Sequence, residues 1–433
     1  MTIKDQHGFA LTGASGAAAE HYQRALHAYH CYAGDAVGAV EAAIDDSPRF
    51  VMAHLLKAYL CMLGTNSETA TVGYGAYLAA KDLPANTREQ GHIAAIGSLA
   101  TGEFRKAGRI LEDVAIEHPR DSLALQTGQL CDFLLGDARM LRDRISRALP
   151  AWSRDMPAFH AVLGMQAFGL EETGHYERAQ AAGREAVALE PRDNWAQHAV
   201  AHVLEMQDRR AEGIDWMCKE ATGWQAESFF AVHNWWHVAL FHLGLGETAE
   251  VLRLYDGPIF GETSTMAFDM ADAAALLWRL ELAGVDVGDR WARIADAYQS
   301  EPRGLYAFDD AHAMMALLRA GRDQAAHALL EAQTAALESP GDNAIFVREV
   351  GLPVIEAVHA FGQGRYGRTV ELLRDVRSGA HRFGGSNAQR DLIDQTLIEA
   401  ARRDGQKDLS WALIAEREAA KPVAAKATAR LAA

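Results

Sequence analysis

A short break recurs along this chain: a small or aliphatic residue, then Gly, then a residue that is usually polar, each time between two Ala- and Leu-rich amphipathic stretches. It stands at Ala33-Gly34-Asp35, Leu63-Gly64-Thr65, Thr101-Gly102-Glu103, Leu135-Gly136-Asp137 and Thr173-Gly174-His175. It continues at Leu245-Gly246-Glu247, Ala283-Gly284-Val285, Ala320-Gly321-Arg322, Gln363-Gly364-Arg365 and Asp404-Gly405-Gln406, with Met206-Gln207-Asp208 as a variant without Gly. Between middle residues the steps are 30, 38, 34, 38, 33, 39, 38, 37, 43 and 41. A period of about 34 to 40 residues with one turn inside it is that of stacked helix–turn–helix units. Each unit is too small to bury its apolar face alone, so neighbours must stack.

The finer pattern is of tetratricopeptide type. Gly174 is followed by Tyr176, Ala179, Ala186 and Pro191, and Gly102 by Phe104, Ala107, Leu111 and Pro119. Gly ends the first helix in a conformation that a Cβ resists, and Pro stops the second. Alternating β-branched runs are missing, so the expected fold class is all-α, an α-solenoid or superhelix of tetratricopeptide-like repeats. Residues 64–90 read as a turn-rich insert, 254–272 as an interruption and 336–346 as a long loop. One continuous repeat domain is expected over 17–420, between a frayed segment 1–16 and a loose Ala-rich tail 421–433.

Composition excludes several functions. Lys and Arg total 42 against 58 Asp and Glu, a net charge of −16, which disfavours nucleic acid and anionic membranes as partners. No run of about 20 apolar residues suits a membrane span, and the N-terminus has no apolar signal core, so a cytoplasmic protein is expected. Cys31, Cys61, Cys131 and Cys218 form no CxxC pair and read as reduced, mostly buried thiols. GGSNAQR, at 384–390, lacks the Lys-Ser/Thr of a phosphate loop.

The unusual residues gather in the middle repeats. Of 18 histidines, five (His198, His202, His233, His237 and His242) fall within 45 residues, where an even spread puts about two. His198, His237 and His312 each lie 9 residues before their break, and Asn194 and His233 each lie 13 before theirs. Asn194, His198 and His202 therefore share one helical stripe, and His233 and His237 another. For any single His, packing between helices is the simplest account. For the set in one phase, a polar pocket is expected, with His198, His202, Glu205, His233 and His237 as candidate acid–base groups. His160, Asn194, Asn234, Asp309, His312, Arg348, Gln389, Arg390 and Asp391 are candidate ligand-binding residues, the arginines as clamps for an anion. The i, i+4 histidines also admit a metal ion at His198, His202, His233 and His237. The Glu that follows the first His of a metalloprotease helix is absent, Ala199 standing there, so no cofactor is expected and metal is the alternative.

The stretches HAVAHVLEMQDRRAEGIDWM, HNWWHVALFHLGLGETAEVLRLYD, REVGLPVIEAVHAFGQGRYGRTVELL and GGSNAQRDLI resemble the tetratricopeptide repeat protein 38 family over about residues 20–415. The resemblance implies the repeat fold and a shared polar region at His198, His202, Glu205, His233, Asn234 and His237. It brings no settled activity. The expected function is thus a repeat protein whose His-rich cavity binds a small polar or anionic metabolite, with acid–base or hydrolytic chemistry open. The alternative is a scaffold whose groove takes a peptide, a protein partner or a second copy of the chain.

Overall fold

The computed structural model describes residues 2–421 except 220, 226, 300 and 301. The tail expected over 421–433 lies, beyond Lys421, outside the described residues. The chain divides into two compact units, the first comprising Met1–Val200, Glu220–Ala231 and Pro340–Asp342, the second Ala201–Lys219, Val232–Ser339 and Asn343–Ala433.

The first unit holds α1 (Gly16–Cys31), α2 (Ala36–Asp46), α3 (Val51–Met62), α4 (Ser67–Ala80), α5 (Thr87–Leu99), α6 (Phe104–Glu117), α7 (Ser122–Leu134), α8 (Ala138–Ala148), α9 (Phe159–Glu172) and α10 (Tyr176–Leu189). The unit boundary falls inside α11 (Asn194–Met206). After α12 (Arg210–Lys219) of the second unit comes the short α13 (Ala221–Gln225) of the first. The second unit continues with α14 (Ala231–Leu245), α15 (Thr248–Leu254), α16 (Ala267–Leu282), α17 (Arg290–Gln299), α18 (Ala307–Arg319) and α19 (Asp323–Ala336). It closes with α20 (Asn343–Phe346), α21 (Leu352–Gly362), α22 (Tyr366–Val376), α23 (Asn387–Arg403) and α24 (Lys407–Ala420). The fold class is all-α, built of tetratricopeptide-like helical hairpins. Among the described residues there is no strand, only an isolated antiparallel bridge between Lys4 and Ala10. No helix among them is long and apolar enough to cross a membrane.

Every sequence break separates the two helices of a hairpin. At nine of the eleven the Gly takes a positive φ; at the other two the left-handed residues are Thr65 (φ 55°) and Asp208 (φ 58°). The left-handed turn lets the next N–H reach back five residues, as in Asp137 N–H to the Asp132 carbonyl (2.9 Å) and Arg209 N–H to the Leu204 carbonyl (2.8 Å). These bonds satisfy carbonyls that a helix end otherwise orphans.

Two local expectations differ from the structure. The 64–90 stretch is mostly helix, started by the Asn66 side chain, which accepts from the N–H groups of Glu68 and Thr69. Gly73 there is a packing residue: a Cβ would stand 2.8 Å from Met62 Cγ and 3.0 Å from the Ala58 carbonyl oxygen, so its absence lets α4 lie on α3. The segment before α1 is tied down, not frayed. Thr12 N–H donates to Glu89 Oε1 (2.9 Å), and the Thr12 carbonyl accepts from Val51 N–H (3.1 Å), one of the donors that α3 cannot satisfy internally.

Candidate metal centre

One polar contact recurs between neighbouring hairpins. A His on the first helix of one hairpin reaches an Asp at or near the start of the first helix of the next. In the first unit His92 Nε2 lies 3.0 Å from Asp121 Oδ2, and His160 Nδ1 lies 2.8 Å from Asp193 Oδ2. Both aspartates also cap a helix, through Ala124 N–H (3.0 Å) and Ala196 N–H (2.8 Å). In the second unit His233 Nδ1 lies 2.7 Å from Asp272 Oδ2. The separations are 121 − 92 = 29, 193 − 160 = 33 and 272 − 233 = 39 residues, close to one repeat. Sequence reasoning passed over the three aspartates, although a His-to-Asp recurrence near the repeat period was the available signal.

The His233–Asp272 pair belongs to a closed cluster in the second unit. His233 and His237 stand one turn apart on α14, and His202 comes from the C-terminal half of α11. The His202 and His237 rings are 4.5 Å apart between centroids, and those of His233 and His237 4.8 Å. One ligating nitrogen from each of the three lies within 4.8 Å of the other two. Exposure is 0% for His202 and His237 and 2% for His233. Trp236 stacks on His233 at 5.3 Å, and Phe268 packs against it at 4.6 Å.

The electrostatics favour the neutral form of His237. Burial, then the charges that His202 and His233 would carry, then Arg279, push His237 well below the ordinary imidazole value. Burial pushes the Asp272 carboxyl up, and His233 opposes it. A carboxylate behind an imidazole in this way fixes the ring of a metal ligand.

His198, in the first unit, is boxed by aromatic rings: Phe168 stacked at 5.7 Å, Trp195 at 5.1 Å and Phe230 edge-on at 5.1 Å. His312 donates from Nδ1 to the Phe308 carbonyl (2.9 Å), and burial pushes it down to about 4. Asn194 Nδ2 donates to the Arg192 carbonyl (3.1 Å), while Asn234 and Asp309 are buried. Glu205 pairs with Lys421 (2.8 Å). Gln389 forms a capping box with Ser386, Arg390 ties the Gly385 carbonyl and Asn387, and Asp391 receives two bonds of 2.6 Å from Arg417. Arg348 is exposed, its guanidinium 3.3 Å from the Leu337 carbonyl. The bonds of Gln389, Arg390, Asp391 and Glu205 cap a helix, close a turn and pair charges.

No family model matches the chain. Among solved structures, a Rap protein complexed with competence and sporulation factor aligns over 87% of this chain and 99% of its own, at 11% identity and a TM-score of 0.44. The yeast protein Tom70 aligns over 86% of this chain and 85% of its own, at 10% identity and a TM-score of 0.42.

Proposed function

We propose that this helical-repeat protein is a metalloprotein in which His202, His233 and His237 hold one divalent transition-metal ion. The observation that carries the reading is the approach of three buried imidazole nitrogens to within 4.8 Å of one another. The rings, 4.5 and 4.8 Å apart between centroids and 0 to 2% exposed, form a closed setting that suits a small ion. Neutral imidazole is the ligand form, and an all-nitrogen set suits zinc, iron, nickel or copper and not calcium or magnesium. Held there, the ion would staple α11 to α14. The two segments on which the resemblance to the tetratricopeptide repeat protein 38 family rests most supply all three rings, and we propose that kinship with it.

Metal analysis of protein stripped with chelator, then reconstituted with each ion and dialysed, tests this. Metal content falls by one ion per chain in His237→Ala and in His202→Ala relative to wild type. Saturation at a hundred times Kd adds about 2.7 kcal/mol of stability, a rise of a few degrees in melting temperature. Equal metal content in wild type and both variants overturns the proposal.

A second reading, a scaffold for a protein partner, has its own observation. On α4, Val72, Tyr74 and Leu78 are 48%, 47% and 43% exposed, and Glu68 is the one charged residue of the helix. An exposed apolar face of this kind marks a contact surface. Sedimentation of wild type and a Val72→Asp, Leu78→Asp double variant tests self-association through it. Loss of a dimer in the variant supports that use, and a monomeric wild type removes it.

A further inference from the structure

A second cluster, in the first unit, has a different donor set. His27 and Cys31 stand one turn apart on α1, and His160 comes from α9. A ring nitrogen of His27, a ring nitrogen of His160 and Cys31 Sγ lie within 4.8 Å of one another. Cys31 Sγ is 3.8 Å from His27 Nε2, and His27 Nε2 is 3.5 Å from Glu190 Oε2. The edges of a tetrahedral zinc site with nitrogen, sulfur and oxygen ligands are about 3.4–3.6 Å, from bond lengths of about 2.0–2.3 Å. The observed spacings are already close to those edges.

His160 supplies an independent sign. Its side chain is 9% exposed, and its Nδ1 is held by Asp193, itself wholly buried. Its Nε2 is buried and has no hydrogen-bond partner among the described residues. A buried nitrogen lone pair without a donor is costly unless something occupies it. Asp193 is fixed in turn by Ala196 N–H, so the ring cannot swing to reach another partner without losing its bond to Asp193. The surroundings suit a dication. Glu190, 3.5 Å from His27, and Asp193, 2.8 Å from His160, bring negative charge.

We propose that His27, Cys31 and His160, with Glu190 beside His27, form a zinc-type site that exchanges its ion with solvent. The exposed flank of His27, 49% open, gives the ion its way in. Sulfur in the set selects a borderline-soft ion of the zinc class over magnesium or calcium. This site shares no residue with the imidazole cluster of the second unit and stands or falls separately.

Cobalt(II) added to reduced, metal-stripped full-length protein is the probe. A thiolate ligand gives a sulfur-to-cobalt charge-transfer band in the near ultraviolet, which the all-histidine cluster cannot produce. The expected result is that band in wild type and in His237→Ala, its loss in Cys31→Ala, and at least tenfold weaker cobalt binding in His27→Ala. His27 is half-exposed, so that variant keeps the fold, which circular dichroism verifies. No charge-transfer band at saturating cobalt, or a band that survives Cys31→Ala, overturns the proposal.

Discussion

The two histidine clusters use the same part in opposite surroundings. In each, a carboxylate takes Nδ1 of one imidazole: Asp272 behind His233, Asp193 behind His160. The second-unit cluster is all nitrogen, aromatic-walled and closed, with exposures of 0 to 2%. The first-unit cluster mixes nitrogen, sulfur and carboxylate and opens through His27. A third His–Asp pair supplies the contrast. At His92 both ring nitrogens are engaged, Nε2 by Asp121 and Nδ1 by the Tyr59 hydroxyl (3.0 Å), so that pair has nothing left to offer a metal. The shared geometry is therefore a structural device of the repeat, and the second ring nitrogen decides whether it is also a site.

The largest effect that sharpens this contrast is at Asp121. Asp121→Ala leaves Arg88 and His92 buried without their anion and should cost about 3–5 kcal/mol, read by denaturant unfolding, with unchanged metal content. Next is Asp193→Ala. It removes the cap of α11, about 1 kcal/mol, and releases His160, weakening cobalt binding at the first-unit site about 10–100-fold. A purely structural Asp193 would lower the melting temperature and leave the cobalt spectrum untouched.

A further effect, confined to acid pH, is expected at His312. Its folded value is about 4 and its unfolded value about 6.5, so the unfolded chain binds the extra proton between them. The stability is present in full above about pH 6.5 and is lost as pH falls towards 4. Melting curves of wild type and His312→Gln should show the wild type losing ground to the variant over that window. A difference independent of pH would mean that His312 does not stay neutral in the folded protein.

The hairpins were legible in the sequence because each break needs a left-handed residue, and Gly provides one at nine of eleven. The Gly in α4 misled for the same reason: Gly73 serves close helix approach, which a turn signal mimics. The imidazole cluster was legible as an i, i+4 stripe, and His202, His233 and His237 do converge. The further spread to Gln389, Arg390 and Asp391 was not a site signal, since helix starts need the same polar residues for caps and ion pairs. Cys31 and His27 were hidden because a His and a Cys at i, i+4 resemble ordinary buried core until His160, 129 residues beyond Cys31, is placed beside them. Asp193 and Asp272 were invisible to any local motif, because their partners lie one repeat away.

Native mass spectrometry of reduced protein, stripped of metal and reconstituted with zinc, tests the central claim most directly, because it counts ions at both clusters at once. The account predicts two ions on the wild-type chain, one on the His202→Ala, His237→Ala double variant, one on the His27→Ala, Cys31→Ala double variant, and none when all four are replaced. A wild-type chain carrying no zinc, or the same number of ions in all four proteins, would contradict it.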